Sequence, residues 1–165
     1  MYFLLSQILK FLIWILNYVF DFDQINFRLG RPGLYKFDYS IIGYKKVDRC
    51  PNKYYKKGIY HRKYSDIILE LEIPAGARII RSNQSKDIDE LRCDKAIIRE
   101  VITTKPYKNF KKNKHIYFSH YDNNFIYRIG QIIEPHLFND NINENNVSGI
   151  HFYKNFRDAM ICNYL

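Results

Sequence analysis

Two basic, tyrosine-rich runs hold the side chains best suited to chemistry in this sequence. Residues 44–64 carry Lys53, Lys56, Lys57, Arg62 and Lys63 among tyrosines, and residues 105–114 set Lys108, Lys111 and Lys112 beside Tyr107 and Phe110. Cationic side chains neutralise phosphates and aromatic rings stack on unpaired bases, so this interleaving suits single-stranded nucleic acid or an acidic lipid surface. The plainer reading of the same residues is a solvated surface whose tyrosines pack on a sheet. A net charge of +9 draws the chain toward polyanions, though a basic balance also serves solubility alone.

Catalytic patterns are absent from the sequence. His115 and His120 flank a strand-like run five positions apart, which sends their side chains to opposite faces and prevents them from sharing a metal. His61, His136 and His151 stand alone. Cys50, Cys93 and Cys162 form no CxxC pair, so reduced thiols are expected rather than a disulfide framework or a zinc site. Cys50 and Cys93 lie near basic residues that can lower a thiol pKa, the one opening for a Cys–His nucleophile. No GxSxG, Walker loop or HExxH occurs. No catalytic residue, metal or cofactor is assigned.

The elements that must position these residues read as α+β, a mostly antiparallel β domain with an N-terminal apolar helix and a short C-terminal helix. The high aromatic content, 17%, favours strands. Residues 2–20 are apolar except Ser6, Gln7, Lys10 and Asn17, and at 100° per residue Ser6, Lys10 and Asn17 share one stripe. A helix of about 19 residues nearly crosses a hydrocarbon core of about 30 Å. The run therefore reads either as membrane-associated, spanning or interfacial, or as a buried helix or protein contact. Residues 21–33 read as a linker and 34–165 as the β domain. Residues 34–39 and 41–47 are expected to pair through Ser40. Residues 66–73 form the cleanest strand, with Ile67, Leu69, Leu71 and Ile73 on one face and Ile68 as an exception on the other. Residues 78–81 and 95–104 are further strands. Residues 82–90 are expected to be an exposed loop, and the Asn-rich residues 139–146 a mobile one. Residues 116–121 and 125–133 should form a hairpin, with a bulge at Gly130. Residues 150–153 should be a strand that leads into a helix from about Phe156, capped by Asn155. The expected core is Leu69, Leu71, Ile73, Ile79, Ile98, Phe118, Ile129, Ile150, Phe152 and Ile161, filled by its own side chains.

Four motifs carry a family resemblance. They are Leu71-Glu72-Ile73-Pro74-Ala75-Gly76-Ala77, Arg92-Cys93-Asp94-Lys95-Ala96, Phe125-Ile126-Tyr127-Arg128-Ile129-Gly130, and Gly149-Ile150-His151-Phe152 before a helix with Ala159. Together, over about residues 34–165, they resemble an uncharacterised domain of giant DNA virus proteins of the mimivirus kind, where it often accompanies pentapeptide or ankyrin repeats. The resemblance implies an architecture and a source, and no reaction. If residues 2–20 span a membrane, the lysines and arginines that follow the run almost exclusively put the domain on the cytoplasmic side, here of an infected host cell. Gly149-Ile150-His151-Phe152, with Ala159 and Tyr164, is also similar to the glycine–strand–helix element of ADP-ribosyltransferases. That likeness would put Tyr35 and Lys36 at the early strand position, and no strand follows Tyr164 to carry the acid.

The leading expectation is a non-enzymatic interaction module that meets a protein partner or a membrane through residues 2–20. A nucleic-acid-binding module using the basic runs and a degenerate ADP-ribosyltransferase-like domain are the alternatives.

Overall fold

The computed structural model describes residues 27, 30–51, 63–84, 90–104, 111–112, 115–120, 125–145 and 147–162. The expected helix over residues 1–20 lies outside them. In chain order the elements are β1 (Gly33–Lys36), β2 (Ile41–Pro51), β3 (Lys63–Ile73), β4 (Arg78–Arg81), β5 (Glu90–Cys93), β6 (Ala96–Thr103), β7 (His115–Phe118), β8 (Ile126–Tyr127), β9 (Ile132–Ile133), β10 (Ile150–Tyr153) and α1 (Phe156–Ile161). All pairings are antiparallel, as expected for a mostly antiparallel sheet with a short C-terminal helix.

One bent ribbon organises the molecule. β2 pairs β3, with Ile41 opposite Ile73 and Val47 opposite Ile67, and β1 pairs β4, with Gly33 opposite Arg81 and Lys36 opposite Arg78. The two pairings keep one continuous register across a corner at residues 37–40 and 74–77. Pro74 withdraws a ladder donor there, Gly76 supplies φ +77°, and the Gly76 amide donates to the Phe37 carbonyl at 2.8 Å. This corrects the expected β1–β2 hairpin. The chain does not fold back at Ser40; it continues around the corner, and the hydrogen-bonding edge of β1 is taken by β4.

The sheet then returns on itself. β5 pairs β4, β10 pairs β5, and β10 meets β2 at Tyr153 opposite Tyr44. Gly43 allows this closure, because the Phe152 ring lies where a Cβ would stand. β6 extends the other side of β3. Between Glu70 and Leu71 the β3–β6 register slips by one residue, leaving Arg99 as the extra residue. The bulge resets the phase, so Ile98 and Val101 both reach the core although they are three positions apart. That accounts for the weak alternation over residues 95–104.

The core holds Leu69, Leu71, Ile73, Ile79, Ile98, Ile150 and Phe152 as expected, and Phe118 is buried too. Two expected members are surface residues. Ile129 sits in the turn before Gly130 and is half exposed, and Ile161 ends α1 on its outer side. Gly130, at φ +78°, serves that turn and not a bulge; it splits the expected 125–133 strand into β8, which completes the β7 hairpin, and β9, which pairs β6. Phe27, in the segment read as a linker, is a core residue packed edge-on against Tyr35 and Phe37.

Helix α1 covers the other face of β2 and β3, with Tyr44 edge-on to Phe156 and Ala159 buried. Ile68, opposite Lys46 on that face, is therefore buried rather than a misplaced surface residue. Lys46 donates its ammonium to the carbonyls of Met160 and Cys162, satisfying acceptors that the helix end leaves open. Asn155 holds the N-cap position without a side-chain cap bond; its amide goes to the Asp158 carboxylate instead. Among the described residues no helix is long and apolar enough to cross a membrane.

Candidate functional site

On β5 and β10 the residues alternate between the core and the opposite face of the sheet. Leu91, Cys93, Ile150 and Phe152 join the core, while Arg92 and His151, directly opposite each other, lie under the loop 137–149. Arg92 is only 2% exposed. Its guanidinium donates from Nε to the Asn139 carbonyl (3.1 Å), from Nη1 to the Glu144 carbonyl (2.7 Å) and from Nη2 to the Asn141 carbonyl. Burial pulls its pKa down, while Glu144, Asp140 and Glu90 pull it back, and a guanidinium stays charged. Gly149 leaves space for this side chain, since a Cβ there would stand 3.2 Å from Arg92 Cδ.

The described residues 139–145 of the Asn-rich loop are thus arranged around an internal cation. Asn139 and Asn141 accept from the amides two residues ahead, and both side chains donate to the Glu144 carboxylate. Ile142 ties the loop to the segment read as exposed at 82–90: its carbonyl accepts from the Ser82 hydroxyl and the Asn83 amide, and Ser82 is buried. Glu90 belongs to β5, a strand unforeseen in the sequence.

Between this loop, the β7–β8 hairpin and β2 lies a cavity of about 340 Å³. β2 contributes Lys45, β5 Glu90 and β10 His151 with Gly149 before it. Ser119, Phe125 and Tyr127 come from the hairpin, and Pro135, His136, Val147 and Ser148 from the loops above. The cavity departs from the expected fully filled interior, and β2 lines it with a lysine in phase with Gly43 and Val47. Lys45 is 7% exposed, and its Nζ donates to the His151 carbonyl at 2.7 Å. Burial lowers its pKa to about 8, against opposing contributions from Cys93, Cys162 and Glu90. The Tyr127 ring centre lies 6.0 Å from the ammonium. Among the described residues no carboxylate forms an ion pair with it, in contrast to the exposed pairs Arg78–Asp94 and Lys95–Glu134.

His151 is committed to the fold. Its Nε2 donates to the Val147 carbonyl at 2.8 Å, and its Nδ1 lies 3.4 Å from Glu90 Oε1. Both ring nitrogens are thus turned toward protein oxygens. The Ser148 hydroxyl donates to the Leu137 carbonyl. Tyr35, which the ADP-ribosyltransferase likeness would need beside His151, is buried against Phe27 and Phe37 with its hydroxyl donating to the Arg31 carbonyl, and does not line the cavity. Cys93 is buried and its thiol pKa is pushed up by burial, the reverse of activation by nearby cations. Among the described residues no three His, Cys, Asp or Glu side chains gather closely enough to share a metal ion.

The basic runs meet this structure only at their margins. Lys53, Lys56, Lys57, Arg62, Tyr107, Lys108 and Phe110 lie outside the described residues, and Lys63 opens β3. Lys112 pairs with Glu100 at 2.7 Å, and Lys111 supplies a carbonyl to His115. Neither lysine lines the cavity. The cavity residues were missed because Lys45 was read as part of a basic surface. The available signal was its phase: Gly43, Lys45 and Val47 fall on one side of a strand, opposite Leu69 and its apolar neighbours.

The site thus sits on a β sheet returned on itself, with one internal cation saturated by a loop and another opening on a cavity. The chain belongs to a family of unknown function (DUF5758), whose model matches residues 25–159. It is 31% identical over 147 residues to the uncharacterized protein L223 of Acanthamoeba polyphaga mimivirus, covering 83% of this chain and 92% of that protein. The giant-virus resemblance of the sequence motifs is thus upheld. No solved structure matches the chain.

Proposed function

We propose that this protein is a non-enzymatic binding module, an accessory protein of a giant virus, whose working surface is the cavity at the head of β10. One observation carries the reading: two of the groups there that could move a proton or attack a substrate, His151 and Ser148, are already committed to the fold. His151 spans the Val147 carbonyl and Glu90, and Ser148 holds Leu137. Toward the cavity stand the Lys45 ammonium, Glu90, Ser119 and His136 among apolar walls, a few polar groups in an apolar recess that suit recognition. The apolar residues 2–20 serve as a tether that places the domain against a membrane or a protein partner.

A thermal-shift screen of small metabolites tests the cavity, run on the full chain and on Ser148→Phe, which narrows the mouth. Compounds that raise the melting temperature should lose their effect in the variant and be recovered unchanged by mass spectrometry. Chemical alteration of a bound compound, or a screen without any stabilising compound, overturns the reading. For the membrane reading of the tether, full-length protein should stay with membranes through carbonate extraction; complete release refutes that reading and leaves the protein partner.

A further inference from the structure

We infer that the cavity takes a monoanionic carboxylate on a small apolar or aromatic body, with the Lys45 ammonium as its counter-ion. This rests on the reading of the cavity as a binding site. A cation removed from water is expected to be paired or fully hydrogen-bonded. Arg92 meets that expectation and Lys45 does not: the ammonium has one acceptor, the His151 carbonyl, and among the described residues no other. Its two remaining N–H groups belong to a side chain that is more than nine-tenths buried and lines the cavity. An anion placed there completes both the charge and the hydrogen bonding.

The surroundings narrow the class. Phe125, Tyr127, Pro135 and Val147 form walls that suit an apolar body, and about 340 Å³ lies in the range of small-molecule sites. Glu90 lines the same cavity, so a second negative charge on the ligand would be repelled. One carboxylate therefore fits better than a phosphate dianion. The carboxylate can belong to a free acid or to the C-terminus of a peptide, which share this chemistry.

The groups that face Lys45 are Glu90 and Cys93 of β5, Cys162 after α1, Tyr127 of β8 and His151 of β10. With the pKa of Lys45 at about 8, carboxylate binding should hold steady below pH 8 and weaken by about tenfold per pH unit above it, as the ammonium is lost.

Calorimetric titration of the full chain with four probes tests the proposal: 3-phenylpropionate, its amide 3-phenylpropanamide, phenyl phosphate, and N-acetylglycyl-phenylalanine with a free carboxylate. At least one carboxylate should bind ten or more times tighter than both the amide and the phosphate, and Lys45→Met and Lys45→Gln should erase that preference. Which carboxylate wins identifies the source. Equal affinity for acid and amide, preference for the phosphate, a preference that survives both variants, or no binding of any probe overturns the inference. If the amide binds and Ser148→Phe blocks it, the binding-module reading survives alone. The pH series on the unaltered chain is an independent check that requires no variant to fold.

Discussion

Of the four cations buried among the described residues, Lys45, Arg49, Arg81 and Arg92, the two on the strands that flank β10, Lys45 and Arg92, are treated in opposite ways. Arg92 spends its planar fork on three carbonyls of one loop. Lys45 has one carbonyl and a cavity. The residue types suit the roles: a guanidinium saturates several acceptors in fixed directions, while an ammonium on a flexible stem is a point charge that can be shared with a ligand. A buried charge whose bonds are complete is part of the architecture, whereas one left incomplete beside a space is a candidate for recognition.

Removing Arg92 gives the largest expected effect. Arg92→Leu leaves three loop carbonyls without their donor and should cost about 3–5 kcal/mol, read by urea unfolding. Arg92→Lys keeps the charge but cannot serve three acceptors, and should recover less than half of that loss. Equal stability of the lysine variant and the unaltered protein would erase the distinction between the two cations.

Lys45→Met should have the opposite sign. The pKa of Lys45 is lowered in the folded chain, from about 10.5 to about 8. Between those values the unfolded chain keeps a proton that the folded chain has released, so stability contributed through this group rises with pH over that window. The rise is about 3 kcal/mol at about 1.4 kcal/mol per pH unit. At pH 7 the methionine variant avoids that penalty, loses one hydrogen bond of about 1 kcal/mol, and should be about 2 kcal/mol more stable. Its advantage should fade as pH approaches 10.5, which paired unfolding curves at several pH values will show. A variant less stable at pH 7 would mean that Lys45 is already satisfied.

The smallest effect belongs to a third cation, Lys46, one residue further on and on the helix face. Lys46→Ala removes two bonds to the end of α1 and should cost about 0.5–1 kcal/mol. Loss of α1 signal by circular dichroism before global unfolding is the specific readout.

The fold was legible where alternation is clean. Ile67, Leu69, Leu71 and Ile73 announce β3 and its buried face, and Pro74 with Gly76 announces the corner. The path of β1 was not legible, because local sequence marks a turn without saying which edge the next strand will meet. β5 escaped notice because Arg92 interrupts its apolar pattern, and its reason for being buried is supplied by carbonyls some fifty positions later. The family motifs make physical sense in retrospect: Gly149 clears space for Arg92, Ile150 and Phe152 enter the core, and His151 pins Val147. The cavity was hidden for a related reason. A lysine in a tyrosine-rich basic stretch reads as surface, and only the strand partner opposite it shows which way it points.

The continuous register of the bent ribbon sets an order of assembly. Residues 33–47 and 67–81 can zip past the corner without a change of register, so much of the sheet forms from comparatively local contacts. β10 arrives from far along the chain: the Lys45–His151 bond joins residues 106 positions apart, and β10 touches β2 through one residue pair. The wall of the cavity is accordingly the last part to close and the first to fray. Native-state hydrogen exchange should find β10 opening while β2 and β3 remain protected, giving a guest a doorway that leaves the house standing.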